Sequence, residues 1–125
     1  MTSSQVFDCA SLLQRFEGVR ARSLKLQENW SDEDCLLQAM PDASPVRWHL
    51  AHTTWFFETF VLDSMQPSYS TFDRSFGHLF NSYYQSIGTP FPRAQRGLLS
   101  RPGRAGFYAT ESTWKLPWAS CCKAP

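Results

Sequence analysis

Residues 44–58 read SPVRWHLAHTTWFFE, and this stretch decides the fold of the chain. Ser44 is a favoured N-cap residue. Pro45 suits the first helical position, because its missing N–H would be unpaired there anyway. No helix-breaking residue follows between Val46 and Leu62. The sequence therefore predicts a long central helix that starts just after Ser44 and extends to about Leu62.

One face of this predicted helix is aromatic and has a histidine near its centre. At 100° per residue, an arc of roughly 80° contains Trp48, His52, Trp55, Thr59 and Leu62. An imidazole in such a stripe needs a polar partner or a metal ion, because burying it unpaired is costly. From the residues alone, His52 is either a hydrogen-bonded core histidine, which is the commoner class, or a functional ligand.

The composition indicates one ordinary domain with enough apolar material for a core. The chain has 125 residues, of which 42% are hydrophobic and 15% aromatic, and its formal net charge is +1. Acidic and basic residues are interspersed, so the sequence predicts neither a nucleic-acid-binding patch nor a membrane-binding surface. No long apolar run or signal pattern occurs, and we expect a cytoplasmic protein.

The cysteines do not indicate a metal site. None of the four forms a CxxC pair, and Cys121 and Cys122 are adjacent. In a cytoplasmic chain the simplest expectation is that all four are reduced, unpaired thiols.

The segment before the central helix also has a helical pattern. Apolar residues recur every three or four positions from about Gln5 to Glu28, with Leu12, Phe16, Val19, Leu24 and Leu26 among them. Basic residues such as Arg20 fill the opposite side, which predicts a solvated face. Residues 29–43 are a connection rich in turn-forming residues, so the two helices are expected to form an α-helical hairpin.

The second half of the chain is less regular. An aromatic segment without sustained period follows Leu62 and is predicted to be a loop packed on the helices. In the segment after Pro92, Arg93 and Arg96 can lie on one side of a turn and form a fork for carboxylates, although a solvated basic loop is the alternative. Residues 103–125 show neither helical nor strand periodicity.

Three segments, in this order, carry a resemblance to a known family: MPDASPVRWHLAHTTWFFETFVL (40–62), LFNSYYQSIG (79–88) and PRAQRGLLSRP (92–102). The chain resembles the amino-terminal DinB-like domain of the ergothioneine biosynthesis sulfoxide synthases. The resemblance implies an all-α, four-helix-bundle fold that is incomplete here, with about two long helices and an aromatic loop. Residues 1–102 would be the partial DinB-like domain, and 103–125 an aberrant or unassigned tail.

The resemblance also implies a chemistry. The family enzymes use non-haem Fe(II) and O₂ to join the sulfur of γ-glutamylcysteine or cysteine to hercynine. Of their three histidine ligands, the one in the LAH segment corresponds to His52. The other two come from an HxxxHxE motif that this chain lacks. Arg93 and Arg96 match residues that bind carboxylates of the thiol substrate.

Because two ligands are missing, we expect a truncated relative that is inactive on its own. Two other interpretations remain open at this point. The chain could be a different DinB-like metal-dependent thiol transferase. It could also be a non-catalytic helical interaction module, since two helices of a bundle leave an apolar face available for self-association.

Overall fold

The computed structural model describes residues 8–71, 73–82 and 88–99, and these ranges contain helices but no strand. The predicted all-α class is confirmed. The α-helices are α1 (Cys9–Leu26), α2 (Asp32–Leu36), α3 (Val46–Phe57), α4 (Asp63–Met65) and α5 (Phe76–Leu79). A π-helical turn, Glu58–Leu62, joins α3 to α4, and a 3₁₀ helix spans Arg93–Leu98. The tail predicted to be aberrant, 103–125, lies outside the described residues. None of the described helices has the length and apolar composition that crossing a membrane requires.

Helix α1 confirms the first predicted helix with slightly shorter bounds. It begins after Asp8, whose side chain accepts a 2.9 Å hydrogen bond from the backbone N–H of Ser11. This bond satisfies one of the unpaired donors at the helix start. The helix ends at Leu26, two residues before the predicted end.

The predicted central helix is also present, but its start differs from the prediction. Helix α3, the π-helical turn and α4 follow one another without interruption from Val46 to Met65. Pro45 holds the N-cap position, and no side chain caps this helix. The predicted N-cap role of Ser44 is wrong, because its hydroxyl instead accepts a hydrogen bond from Arg96.

Helix α1 packs on α3 through polar side chains. The prediction of a solvated arginine face is confirmed for Arg15 and Arg22, which are exposed, but it is wrong for Arg20. Arg20 is 5% exposed and donates to Thr53 Oγ1 at 2.7 Å and to Thr54 Oγ1 at 2.8 Å. A third bond reaches the Leu50 carbonyl at 3.3 Å. Three acceptors on one helix compensate for the desolvation of the guanidinium, so the arginine lies inside.

The same rotation of α1 exposes part of its apolar stripe. Val19 and Leu26 are 68% and 76% exposed, although their spacing predicted core positions. Leu24 does pack against the core, and Phe16 contacts Phe57 edge-on with 4.7 Å between ring centroids. The helical period was therefore predicted correctly, but the direction of the buried face was not.

The core is aromatic and centred on α3. Its buried members are Trp48, Leu50, Ala51, Trp55, Phe76 and Phe80. Helix α5 supplies Phe76, and Phe80 follows it directly, so these two residues of the aromatic segment pack on the central helix as predicted; Phe72, Tyr83 and Tyr84 lie outside the described residues. Helix α2 is joined to α3 by Arg47, whose Nη2 donates to the Asp32 carbonyl at 2.6 Å and lies 3.4 Å from the Asp32 carboxylate.

The cysteines differ from the expectation of four reduced thiols. Cys35 is a buried thiol outside any disulfide, and its sulfur donates to Oε1 of Gln27 at 3.6 Å. Cys9, however, is disulfide-bonded. The expectation is therefore wrong for Cys9, because cysteine spacing along a sequence does not determine which thiols meet in space.

Candidate functional site

The imidazole of His52 lies between two indoles of the same helix. Trp48, one turn earlier, stacks on it with 4.7 Å between ring centroids and 9° between ring planes. Trp55, about one turn later, lies 5.9 Å away at a tilt of 34°. Residues three and four positions apart share a helix face, which is why the sequence predicted this grouping. The structure confirms that the three rings meet.

The orientation of His52 is set by a residue 28 positions further along the chain. Its Nδ1 atom lies 2.6 Å from the carbonyl oxygen of Phe80. A carbonyl oxygen can only accept, so Nδ1 must carry the proton. In the neutral ring, Nε2 then has the free lone pair, and no described residue hydrogen-bonds to it. A second hydrogen bond of this kind is what orients metal-ligating histidines in proteins.

Helix α5 provides this carbonyl because its C-terminal end points at α3. The Phe80 carbonyl accepts from His52, and the Leu79 carbonyl accepts from Nε1 of Trp48 at 3.2 Å. The last carbonyls of a helix have no partner within the helix, so these two bonds satisfy groups that would otherwise be unpaired. The end of α5 therefore fixes both rings of the stack.

The surroundings of His52 favour its neutral form. Burial lowers the pKa of His52 below its usual value of 6.5. The hydrogen bond to the Phe80 carbonyl opposes this shift, and the nearby Arg96 adds a smaller lowering effect. Since a metal ion competes with the proton for the imidazole lone pair, a neutral ring is the form that binds metal. Burial also lowers the pKa of His49, and the electrostatic effects of His52 and Arg96 act in the same direction.

The two arginines predicted to bind substrate lie in different environments. The side chain of Arg93 is exposed at the start of the 3₁₀ helix. The side chain of Arg96 is only 4% exposed, and its guanidinium carbon lies 3.6 Å above the centroid of the Trp48 ring. The structure thus places one guanidinium at the surface and the other inside the fold, instead of pairing them in one fork.

A buried acid that follows α3 was missed by sequence reasoning. Glu58, the first residue of the π-helical turn, is 2% exposed and accepts a 2.6 Å hydrogen bond from the hydroxyl of Tyr69. Its helical position gave no signal for this, because the partner comes from the loop that follows α4. Short π-helical turns occur often at functional sites, and here the turn accompanies the burial of an acid.

The described residues do not complete a metal site. No group of three or more His, Cys, Asp or Glu side chains among them could hold a metal ion. His52 is thus a well-oriented single ligand. One imidazole neither fixes a coordination geometry nor selects one metal over another.

The family of the chain follows from comparison with known proteins. The model of the DinB superfamily matches residues 15–119, which include most of α1, the whole central helix and the 3₁₀ helix. The chain belongs to the DinB superfamily. No curated protein matches it. Among DinB-superfamily proteins are metal-dependent enzymes, so a histidine with an oriented imidazole on the central helix is a natural candidate ligand.

Proposed function

We propose that this DinB-superfamily chain supplies His52 as one ligand of a non-haem Fe(II) centre of the sulfoxide-synthase type. The observation that carries the proposal is the hydrogen bond from Nδ1 of His52 to the Phe80 carbonyl. It leaves the Nε2 lone pair available on a ring that is also fixed by stacking. The order of the three sequence segments 40–62, 79–88 and 92–102 supports the choice of this reaction class.

Iron in such a centre would activate O₂ for joining the thiol of γ-glutamylcysteine or cysteine to hercynine. The residues of this chain would orient one ligand and shield it. The indoles of Trp48 and Trp55 flank the imidazole and limit the access of water to its faces. Burial keeps the ring neutral. Neither the shielding by the indoles nor the neutral state of the ring requires the other two iron ligands to be in place.

A single ligand has a clear consequence for activity. The chain contains three histidines, and it has no HxxxHxE motif. Since one imidazole cannot hold iron in a facial three-histidine arrangement, the isolated chain should bind Fe(II) weakly and form no sulfoxide. Supplying Fe(II), O₂, hercynine and γ-glutamylcysteine tests this directly. Robust sulfoxide formation by the 125-residue chain would contradict the one-ligand proposal.

The ligand itself is tested by metal titration under anaerobic conditions, followed by NMR of histidine ring nitrogens. Paramagnetic Fe(II) should broaden the His52 signals before those of His49. His52→Ala should remove the binding, whereas His49→Ala, a matched change one turn away on the same helix, should retain it. Equal Fe(II) binding by native protein and His52→Ala would remove His52 from the metal site.

A second candidate function is a self-associating helical module, and the exposed apolar face of α1 favours it. Leu12, Val19 and Leu26 are 46%, 68% and 76% exposed. They border two adjoining grooves between α1 and α3, with volumes of about 410 and 450 Å³. A second copy offers two more helices of matching length, which is what a four-helix arrangement needs.

Sedimentation of the native chain distinguishes this second candidate. A dimer that Val19→Glu converts to a monomer would support self-association through the groove. Glu17→Gln, a change at an exposed α1 position outside the groove lining, should leave the dimer intact. A native chain that stays monomeric at high concentration would contradict the module.

A further inference from the structure

Three planar groups lie one on another next to the candidate ligand. The guanidinium carbon of Arg96 is 3.6 Å from the ring centroid of Trp48, and the imidazole of His52 stacks on the same indole at 4.7 Å. The guanidinium and the imidazole both contact the Trp48 indole, and a single face of this indole has no room for both groups. Trp48 is therefore held between a guanidinium and an imidazole.

Arg96 is fixed by its own contacts. Its Nη1 donates to the hydroxyl of Ser44 at 2.8 Å, just before the start of α3. The cavity that remains among Leu36, Pro45, Trp48, Phe80 and neighbouring side chains is only about 10 Å³. That is barely the space that one water molecule needs, so the side chain of Arg96 is closely packed on this side.

The 3₁₀ helix that carries Arg96 is anchored by one glutamine. The Nε2 atom of Gln38 donates to the Arg93 carbonyl at 2.8 Å, and its Oε1 accepts from the Gly97 N–H at 2.7 Å. A Cβ atom at Gly97 would lie 2.9 Å from Cβ of Gln38, closer than real contacts allow. This close approach places Arg96 over Trp48.

We infer that Arg96 is a positioning residue, which presses Trp48 against His52 and so keeps the His52 Nδ1–H on the Phe80 carbonyl. The inference rests on the proposed role of His52 and refines it. A cation against an indole face is attracted by the ring electrons, and partial burial strengthens that contact.

The test is the tautomer of His52 in the metal-free, full-length chain, read from ¹⁵N shifts of labelled histidine rings. Native protein should show Nδ1–H at His52. Arg96→Ala should lower the ratio of the Nδ1–H to the Nε2–H form by about fivefold, the factor that an ordinary cation–π contact represents. Arg96→Lys, which retains a cation, should restore most of it. Arg93→Ala, in the same 3₁₀ helix but exposed, should leave it unchanged.

Far-UV circular dichroism of each variant separates positioning from loss of the fold. If Arg96→Ala is not folded, Arg96→Met keeps much of the packing without the cation and should show the same shift. An unchanged His52 tautomer in a folded Arg96→Ala or Arg96→Met variant would overturn the inference. Because no metal is present, this result is independent of the Fe(II) titration that tests the ligand role.

Discussion

The guanidinium of Arg20 on α1 donates a 2.8 Å hydrogen bond to the hydroxyl of Thr54 on α3, and Thr54 is fully buried. A second donor of the same guanidinium reaches Thr53 at 2.7 Å. The two long helices are thus joined by a buried, charge-assisted contact in addition to apolar packing. Such bonds are about twice as strong as neutral ones, so this contact fixes the rotation of α1.

Arg20→Met should destabilise the fold, because the methionine fills much of the space but donates no hydrogen bond. We expect the free energy of unfolding to fall by about 1–3 kcal/mol, the usual range for a buried hydrogen bond to a charged group. Urea denaturation measures the loss. Arg22→Met, on the exposed side of the same helix, is the control and should change stability by less than about 0.5 kcal/mol. Equal losses in the two variants would contradict the Arg20 contact.

Two glycines should respond to alanine in opposite ways. At Gly18, inside α1, an added Cβ meets nothing within 4 Å, so Gly18→Ala should stabilise the chain by about 0.5–1 kcal/mol through helix propensity. At Gly97 the added Cβ would collide with Gln38, and Gly97→Ala should destabilise the docked 3₁₀ helix. Thermal unfolding compares the two. A stabilising Gly97→Ala would show that this helix can move away from Gln38 at no cost.

Tyr69→Phe should be destabilising, because it leaves the buried Glu58 carboxylate without its 2.6 Å hydrogen bond from the tyrosine hydroxyl. The expected loss is about 1–3 kcal/mol. Replacing the acid as well, in the double variant with Glu58→Gln, should recover part of it, since an amide is less costly to bury than a group that can ionise. A double-mutant cycle by urea denaturation measures the coupling. Independent, additive effects would mean that the two side chains do not stabilise each other.

Stability should decrease in mild acid. The pKa of His52 in the folded chain lies below 6.5, so the unfolded chain binds more protons once the pH falls below about 6.5. The stabilising contribution of neutral His52 is complete above that pH, and it is lost as the pH falls from there through the pKa of His52 in the folded chain. His49 acts in the same direction. Urea unfolding across this range should show the decline. The double variant His49→Gln, His52→Gln should lose less stability over the same pH range. An equal loss in both proteins would contradict the role of these two histidines.

Much of the fold could be predicted because it depends on contacts that are local in sequence. Helical spacing placed Trp48, His52 and Trp55 on one face, and the structure brings these three rings together, with Trp48 stacked on His52 and Trp55 tilted against it. The existence of both long helices followed from their apolar period. The spacing of aliphatic residues did not predict which face of α1 is buried, because it takes no account of a buried Arg20 that finds acceptors on another helix.

The sequence alone indicated the helical class and the central helix, because both depend on residues three or four positions apart. The family resemblance, and not the spacing, made His52 a candidate ligand. Only the tertiary structure decided how that ligand is held. The Phe80 carbonyl meets His52 from 28 residues away, and Arg96 reaches Ser44 across 52. These pairings depend on how α5 and the 3₁₀ helix pack against α3. No periodicity encodes that packing, so the tautomer of His52 and the burial of Arg96 are properties of the folded chain.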